Sequence, residues 1–251
     1  MKKLSFKLSL ITCAVAFASI SVSAEEDYIS DEELFTDDEF ENAIVVKDPL
    51  EPINRVTFKF NDFVYENVLD PVASGYQWIT PDPVEKGASN FFKNLRFPIR
   101  AASNLLQGRL DGAWVETGRF AINSTVGILG VNTPADSFEG FEPIPPEEFG
   151  QVLGAWGVSE GPYIVIPFLG PSNLRDAIGL VGDASLDPIR EPLSLIDNWD
   201  WEWQFAVGTT ELIVASPTLL DGYKKLKGSA IDPYSSVKNG YTQSRRAKIA
   251  E

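Results

Sequence analysis

The chain has 251 residues, 44% of them hydrophobic, and carries 36 acidic against 21 basic residues, a net charge of −15. This balance opposes binding to nucleic acids, whose phosphates require a basic surface. The chain contains no His, which excludes His-based triads and His metal ligands, and we predict no catalytic residue, no metal site and no cofactor.

The N-terminus has the pattern of a secretory signal peptide. Basic residues at the start precede an uncharged apolar run, which ends at Val22-Ser23-Ala24 before two acidic residues. We therefore predict a signal peptide over 1–24 with cleavage after Ala24. Cys13 raises the alternative of lipidation at that residue, but Thr12 before it fits a lipoprotein signal poorly. A Cys inside a discarded peptide is favoured, and the rest of the chain can form no disulfide.

An acidic leader follows over 25–47. Ten carboxylates and no basic residue lie between Glu25 and Asn42. Self-repulsion of this kind predicts disorder. The alternative is a short motif whose aromatic residues dock on a partner. An ordered domain is predicted from Asp48 to 242, with a basic C-terminal tail over 243–251.

The first predicted helix follows a Pro-containing entry at Asp48–Arg55. Asp70-Pro71 is expected to end or turn it. Three- and four-residue spacing gives it one apolar face, made of Ile53, Val56, Phe60, Phe63, Val64 and Val68. A further helix is predicted to open at Pro81-Asp82-Pro83 and to run to about Leu95, and another to run from Ile99 to Leu106.

The next predicted helix, Leu110 to Thr125, carries an apolar or small stripe that includes Trp114 and Phe120. These two residues could face either a core or a lipid phase, and a core is the commoner place for such a stripe. The stripe is formed by Leu110, Ala113, Trp114, Thr117, Phe120, Ala121 and Ser124.

Gly127 and Gly130 then flank the apolar pair Ile128 and Leu129. Two glycines three residues apart are typical of a turn that needs positive φ or a close backbone approach. The segment is either a tight connection or a flexible apolar hairpin. Both interpretations remain open at this point.

After the two glycines, Pro134–Pro146 is predicted to be a loop, since it is rich in Pro and acidic residues. Pro162–Phe168 is β-branched, apolar and bounded by prolines, which favours extended structure. A helix is expected to start within Pro171–Asp176, and a last one at Asp232-Pro233-Tyr234. The fold class is thus mainly α: a single domain of about seven helices with little or no strand. No apolar run after the signal is long enough for a conventional membrane span.

Two glycine-containing segments do not match known catalytic loops. The glycines from Gly150 to Gly157 lack the Lys-Ser/Thr of a phosphate-binding loop, and Gly170-Pro171-Ser172 is not a nucleophile elbow. Asp176, Asp183 and Asp187 are acidic neighbours in sequence, a spacing that chance produces in so acidic a chain.

Four ordered blocks resemble the MlaA/VacJ family. They are Asp48–Arg55; Asn90–Leu95 with Asn104–Gly108; Gly118–Gly130; and Glu148–Val158 with Gly161–Asp176. The residues that carry the resemblance most clearly are Asp48, Pro49, Asn54, Arg55, Phe149, Gly150, Gly154, Gly161, Pro162, Tyr163, Arg175 and Asp176.

The resemblance implies a ring-like helical protein in the inner leaflet of the bacterial outer membrane, on the periplasmic side. Such proteins carry phospholipid through an amphipathic channel, associate with trimeric porins and pass lipid to a periplasmic carrier. The resemblance gives Gly127 and Gly130 a hinge role. Candidate channel or lipid-facing residues are Trp114, Phe120, Ile128 and Leu129. One alternative is a porin-bound scaffold without lipid passage. A second is a phospholipase, but the sequence offers no nucleophile with a plausible base.

Overall fold

The computed structural model describes residues 46–189, 201–228 and 230–250. The predicted signal peptide, Cys13 and the acidic leader as far as residue 45 lie outside the described residues. The described part is mainly helical, as predicted, with eight helices and one two-stranded sheet. Seven helices are α2 Asp82–Leu95, α3 Phe97–Leu106, α4 Leu110–Thr125, α5 Phe149–Ala155, α6 Leu174–Leu186, α7 Trp201–Gly228 and α8 Pro233–Ala250, and a 3₁₀ turn covers Pro134–Ser137.

The first helix, α1, runs without a break through Glu51–Val64, a π-helical segment Tyr65–Leu69, and Asp70–Ile79. The prediction that Asp70-Pro71 ends or turns this helix is therefore wrong. The backbone N–H of Asp70 donates to the carbonyl of Tyr65, an i→i+5 bond. This wider turn restarts the α-helix just before Pro71, which lies in the first turn, where a missing N–H costs little.

The extended segment is confirmed as strand β1, Tyr163–Ile166, and it pairs antiparallel with β2, Gly170–Asn173. The register places Tyr163 opposite Asn173 and Ile166 opposite Gly170. Because β2 occupies Gly170–Asn173, the following helix begins at Leu174, within the range in which its start was expected. Asn173 caps it by accepting the N–H of Asp176 at 2.8 Å.

The packing of the helices closes a circuit. Helix α7 packs on α2, α2 on α3 and α3 on α5; α5 packs on α8, and α8 returns to α7. Helix α1 joins this circuit through α7 and β1. The closed arrangement agrees with the ring-like domain that was expected. The last helix continues through the basic segment 243–251 as far as Ala250.

In the part of the chain that the structure describes, three small apolar clusters take the place of a single core. One contains Phe58, Tyr163, Val165, Tyr234 and Val237. A second is built on Leu69, Ala73 and Leu220, and a third on Phe92, Ile189 and Val214. Between these clusters the interior is polar, and within the described residues buried polar side chains outnumber the buried apolar ones.

Candidate lipid-contacting surfaces and polar interior

Helix α1 presents its apolar face to the outside. Phe63 is 62% exposed and Trp78 is 87% exposed, and Ile53, Val56 and Val68 are also exposed. The opposite face of the helix is buried and carries polar side chains. On that face Asn54 accepts the N–H of Val165 at 2.9 Å, and Asn61 donates to the carbonyl of Ile166 at 2.9 Å. These amides hold β1 against the helix, so the apolar side remains free for another environment.

Helix α4 repeats this inversion. Its predicted stripe is largely exposed, with Leu110 and Trp114 on the outside. The expectation of a core-facing stripe therefore fails for Leu110 and Trp114 and holds for Ala113, which shares the buried face of α4 with Glu116 and Asn123. The sequence period located the stripe correctly, but did not reveal which side the rest of the protein would cover.

Phe120 differs from the other candidate lipid-facing residues of α4. Its ring is partly buried and stacks on Phe97 of α3, with ring centroids 4.4 Å apart and planes 12° apart. Stacked aromatic pairs at this distance contribute packing energy in addition to their area. In the described structure Phe120 therefore joins α3 to α4.

Ion pairs fill the interior beneath these helices. Arg96 contacts Glu211 across 115 positions of sequence, with both side chains buried. Arg100 binds Glu116 at 2.8 Å. Two further donors, Gln107 and Arg109, converge on the buried carboxylate of Glu147. Helices α1 and α4 thus carry apolar side chains on their outer faces, and paired charges are buried beneath them.

A second charged network surrounds Asp176, one of the family-motif residues. Its carboxylate accepts from Arg175, Arg245 and the Tyr241 hydroxyl. Burial opposes ionisation of Asp176, but Arg245 and these hydrogen bonds lower its pKa below the ordinary value. Arg245 also pairs with Glu148 at the start of α5. The network thus ties α5, α6 and α8 together.

The glycines of the fourth block allow α5 and α6 to meet backbone to backbone. A Cβ at Gly179 would lie 2.6 Å from the Cα of Gly150, a distance that real side chains do not adopt. A Cβ at Gly154 would lie 2.6 Å from Ile249 of α8. Phe149 belongs to the same crossing, since its N–H donates to Asp183 at 2.8 Å. This part of the motif therefore serves close packing.

The first block joins the start of the described chain to the start of α8. Asp48 accepts from Asn54 at 2.9 Å and from the Tyr234 hydroxyl. Arg55 donates two hydrogen bonds to Asp232, and its guanidinium lies 4.4 Å from the ring centre of Tyr234. Pro49, next to Asp48, is exposed and precedes α1. These residues hold the start of α1 against α8.

The predicted hairpin is a tight turn fixed by backbone and side-chain bonds. Ile128 and Leu129 both have φ of 58°, in the left-handed region that bulky residues rarely adopt, and both side chains are exposed. Asn94 of α2 donates to the Ser124 hydroxyl at 2.9 Å and to the Leu129 carbonyl at 3.4 Å.

The two glycines of the turn satisfy different requirements. Gly130 has φ of 92° and lies against Asn94, whereas Gly127 has no positive φ. A side chain at Gly127 would overlap the carbonyl oxygens of Asn123 and Asn132. Positive φ at one position and close approach at the other are the two needs that the glycine spacing predicted.

Sequence reasoning missed the buried charges. Arg96, Glu116 and Glu211 belong to the functional candidates in the structure but were not selected from the sequence. One signal was available: Glu116 lies on α4 away from the apolar stripe. If the stripe faces outward, a charged residue on the other side must be buried and paired.

The fold and its surfaces define a helical protein whose outside suits an apolar environment and whose inside is charged. Within the described residues no helix is both long and apolar enough to cross a membrane. Residues 46–248 match the family model described as MlaA lipoprotein. The chain belongs to the MlaA lipoprotein family.

Individual relatives agree with this assignment. The chain is 34% identical over 200 residues to the intermembrane phospholipid transport system lipoprotein MlaA of Shigella flexneri, covering 78% of this chain and 76% of that protein. It is 29% identical over 206 residues to the protein of the same description from Haemophilus influenzae, covering 80% and 79%.

A solved structure is similar over most of this domain. It was described as a structural basis for maintenance of bacterial outer membrane lipid asymmetry. The TM-score is 0.66 at 30% sequence identity, over 81% of this chain and 99% of that one. The similarity supports both the family and the fold.

Proposed function

We propose that this protein is a phospholipid transport component that removes mislocalised phospholipid from the outer leaflet of the outer membrane. The lipid passes through an amphipathic channel to a periplasmic carrier, which maintains lipid asymmetry. Relatives described as intermembrane phospholipid transport lipoproteins support this proposal.

The observation that carries the proposal is the inverted distribution of polar and apolar side chains. Phe63, Trp78 and Trp114 are exposed, whereas Arg96, Glu116 and Glu211 are buried. A phospholipid has a charged headgroup and apolar tails, so its passage needs polar and apolar surfaces close together. Exposed apolar helix faces without a spanning helix also suit a protein that lies within one leaflet.

The proposed location is the outer membrane on the periplasmic side, reached through the signal peptide over 1–24. The proposed partners are a trimeric porin and a periplasmic lipid carrier. A net charge of −15 opposes electrostatic attachment to anionic headgroups, so attachment must be apolar or by a lipid on Cys13. Cleavage after Ala24 would remove Cys13 and leave the apolar faces as the anchor.

The hinge role of Gly127 and Gly130 is part of the proposal. Two consecutive strained residues, Ile128 and Leu129, lie between these glycines. Such conformations cost on the order of 1–3 kcal/mol each and persist only when neighbouring groups hold them. A turn held by Asn94 in this way can exchange its arrangement when those bonds change, as a gate requires.

The test is outer-leaflet phospholipid exposure in cells that lack this protein. Deletion should raise the surface phospholipid, and a plasmid copy should reverse the increase. Porin trimers are measured in the same cells, since the scaffold alternative predicts altered trimers with unchanged surface phospholipid. That second result would overturn the transport proposal.

A variant pair sharpens the same experiment. Gly130→Val places a side chain against Asn94 at a positive φ, whereas Gly75→Val adds one at an exposed helical site with nothing within 4 Å. With equal protein amounts confirmed by immunoblot, only Gly130→Val should fail to restore normal surface phospholipid. Equal restoration by both variants would contradict the hinge role.

A further inference from the structure

After the turn at Gly127–Gly130 the chain runs back along α4. Residues 133–141, here called the return segment, include the 3₁₀ turn. The first anchor of this segment is Ala135, which is fully buried and whose N–H donates to the Asn123 side chain at 3.1 Å. The turn is therefore fixed at both of its ends, by the backbone of α4 at one and by the return segment at the other.

Arg119 of α4 binds the return segment twice. Its Nη2 donates to Oδ1 of Asp136 at 2.7 Å, and its Nη1 donates to the carbonyl of Phe141. The other carboxylate oxygen of Asp136 accepts the Thr133 hydroxyl at 2.7 Å, so the carboxylate is oriented from within the segment. One guanidinium thus fastens both ends of the stretch from Asp136 to Phe141, through hydrogen bonds that its charge strengthens.

Gly118 provides a second fastening next to the first. A Cβ at this position would lie 2.0 Å from Cε1 of Phe141, so the Phe141 ring occupies space that only a glycine leaves open. Trp114 borders the same ring, with the ring centroids 6.4 Å apart. The sequence neighbours Gly118 and Arg119 therefore hold the ring and the carbonyl of one residue. Both positions lie in the third block that carries the family resemblance.

Helix α2 holds the turn less firmly than α4 holds the return segment. Asn90 donates to the carbonyl of Val131 at 3.2 Å, and Asn94 donates to that of Leu129 at 3.4 Å. Both are bonds between neutral groups and are long, whereas the bond from Arg119 to the return segment joins opposite charges at 2.7 Å. The stronger restraint on the turn is therefore the one that acts through the return segment.

We propose that Arg119 is a positioning residue for the gate that the turn forms. It precedes the end of α4 at Thr125 by about 9 Å along the helix axis, so it acts on the turn through the return segment. While Arg119 holds this segment, the Leu129 carbonyl stays within reach of Asn94. When its bonds break, the return segment can leave α4 and the turn can open. The proposal rests on the proposed function for what this opening serves.

Deuterium exchange of the purified protein in detergent measures how often the turn opens. The N–H groups of Gly127, Leu129 and Gly130 donate to carbonyls of α4, so they exchange when the turn leaves this arrangement. Arg119→Gln should raise their exchange rate about five- to tenfold, because it removes the charged bonds to the return segment. Exchange in the crossing of α5 and α6 should not change.

Three further variants establish the cause of this effect. Gly118→Ala displaces the Phe141 ring without changing any charge and should raise the exchange of the turn to a similar extent. Arg119→Lys should have a smaller effect, since an ammonium can still pair with Asp136 but lacks the planar pair of donors that also reaches the Phe141 carbonyl. Arg246→Gln removes a partly exposed ion pair on α8 and is the matched control, with unchanged exchange in the turn.

The same variants are produced in cells that lack the chromosomal copy, at equal protein amounts. Arg119→Gln should fail to restore normal surface phospholipid, whereas Arg246→Gln should restore it. Arg119→Lys should restore it in part. A residue that serves only the general stability of α4 would not give this order of effects in both the exchange of the turn and the surface phospholipid.

Three results would overturn the role of Arg119. One is unchanged exchange of the turn in Arg119→Gln. Another is an equal rise of exchange throughout the described domain, which would make the residue a general stabiliser. The third is faster exchange of the turn together with fully restored surface phospholipid. Failure of the transport proposal is distinguishable from all three, because deletion cells would then show normal surface phospholipid whatever the exchange of the turn.

Discussion

Arg96 and Glu211 form an ion pair in which Nη2 and Oε1 are 2.6 Å apart and the side chains are 7% and 2% exposed. The pair connects the junction of α2 and α3 to the middle of α7. An ion pair buried to this extent is costly to break, because removal of one charge leaves the other desolvated and uncompensated.

We therefore expect Glu211→Ala to lower the free energy of unfolding by about 3–5 kcal/mol. Asp221→Asn, at an exposed position on the same helix, should change it by less than about 0.5 kcal/mol. Denaturant titration in a fixed detergent measures both variants. Equal stability of the two would mean that Arg96 finds another partner and that this pair does not hold α7 in place.

Asp183 gives a pH prediction. Burial, and next the negative charge of Glu148, raise its pKa from 3.8 to about 7, although the Phe149 N–H, Arg245 and Arg96 favour the ionised form. The folded state thus binds more protons than the unfolded state between about pH 4 and 7. The contribution of Asp183 to stability is present at low pH and is lost as the pH rises through this window.

Asp183→Asn keeps an oxygen that can accept the Phe149 N–H but cannot ionise. The free energy of unfolding of the variant should not fall in this way as the pH rises. At pH 8 it should exceed that of the wild type by about 1 kcal/mol or more. Thermal unfolding of both proteins at several pH values between 4 and 8 provides the measurement. Parallel pH profiles would show that Asp183 is ionised throughout.

The turn between α4 and the 3₁₀ segment gives a prediction about glycine. Gly130→Ala should destabilise the protein by about 1–3 kcal/mol, since it combines a positive φ with overlap on Asn94. Gly75→Ala, in an exposed and unobstructed part of α1, should stabilise it by about 0.5–1 kcal/mol. Denaturant midpoints compare the two. The same sign of change at both sites would contradict the strained geometry of the turn.

The exposed face of α1 gives a prediction about membrane attachment. Phe63→Ser with Trp78→Ser should reduce the fraction bound to phospholipid vesicles at least tenfold, because each side chain contributes about 1.5–3 kcal/mol when transferred from water. Stability should be unchanged, since both residues are exposed. Vesicle flotation is the measurement, with Lys59→Gln as the control. Undiminished flotation would place the attachment elsewhere on the molecule.

The sequence predicted most helices well, because their limits depend on local signals. The bounds Asp82–Leu95 and Leu110–Thr125 follow from Pro at the start of one helix and from the apolar period of the other, and both are confirmed. The strand at Tyr163–Ile166 followed equally from its β-branched residues. The continuation of α1 through Pro71 could not be predicted, because an i→i+5 turn does not change the spacing of apolar residues in a recognisable way.

The candidate site was less predictable, for a physical reason. A period of 3.6 residues shows that Trp114 and Leu110 share a face, but an outward apolar face and an inward one have the same spacing. The partner of Glu116 decides between an outward and an inward apolar face. That partner is Arg100, which lies 16 positions away in sequence and on another helix. Arg96 and Glu211 are 115 positions apart in sequence, so their pairing could not be predicted from local patterns.

The π-helical turn at Tyr65–Leu69 makes the register of α1 sensitive to length. Each residue of an α-helix advances the side chains by about 100°, and the wide turn accommodates one residue more than a regular turn would. Deletion of one residue from this turn could restore a regular helix, but it would rotate Asp70–Ile79 by about 100° about the axis. Trp78 and Ile79 would then leave the exposed face, and Leu69 and Ala73 would no longer both meet Leu220. Substitution at the exposed positions 66–68 should thus be tolerated far more readily than a change in the number of residues in this turn.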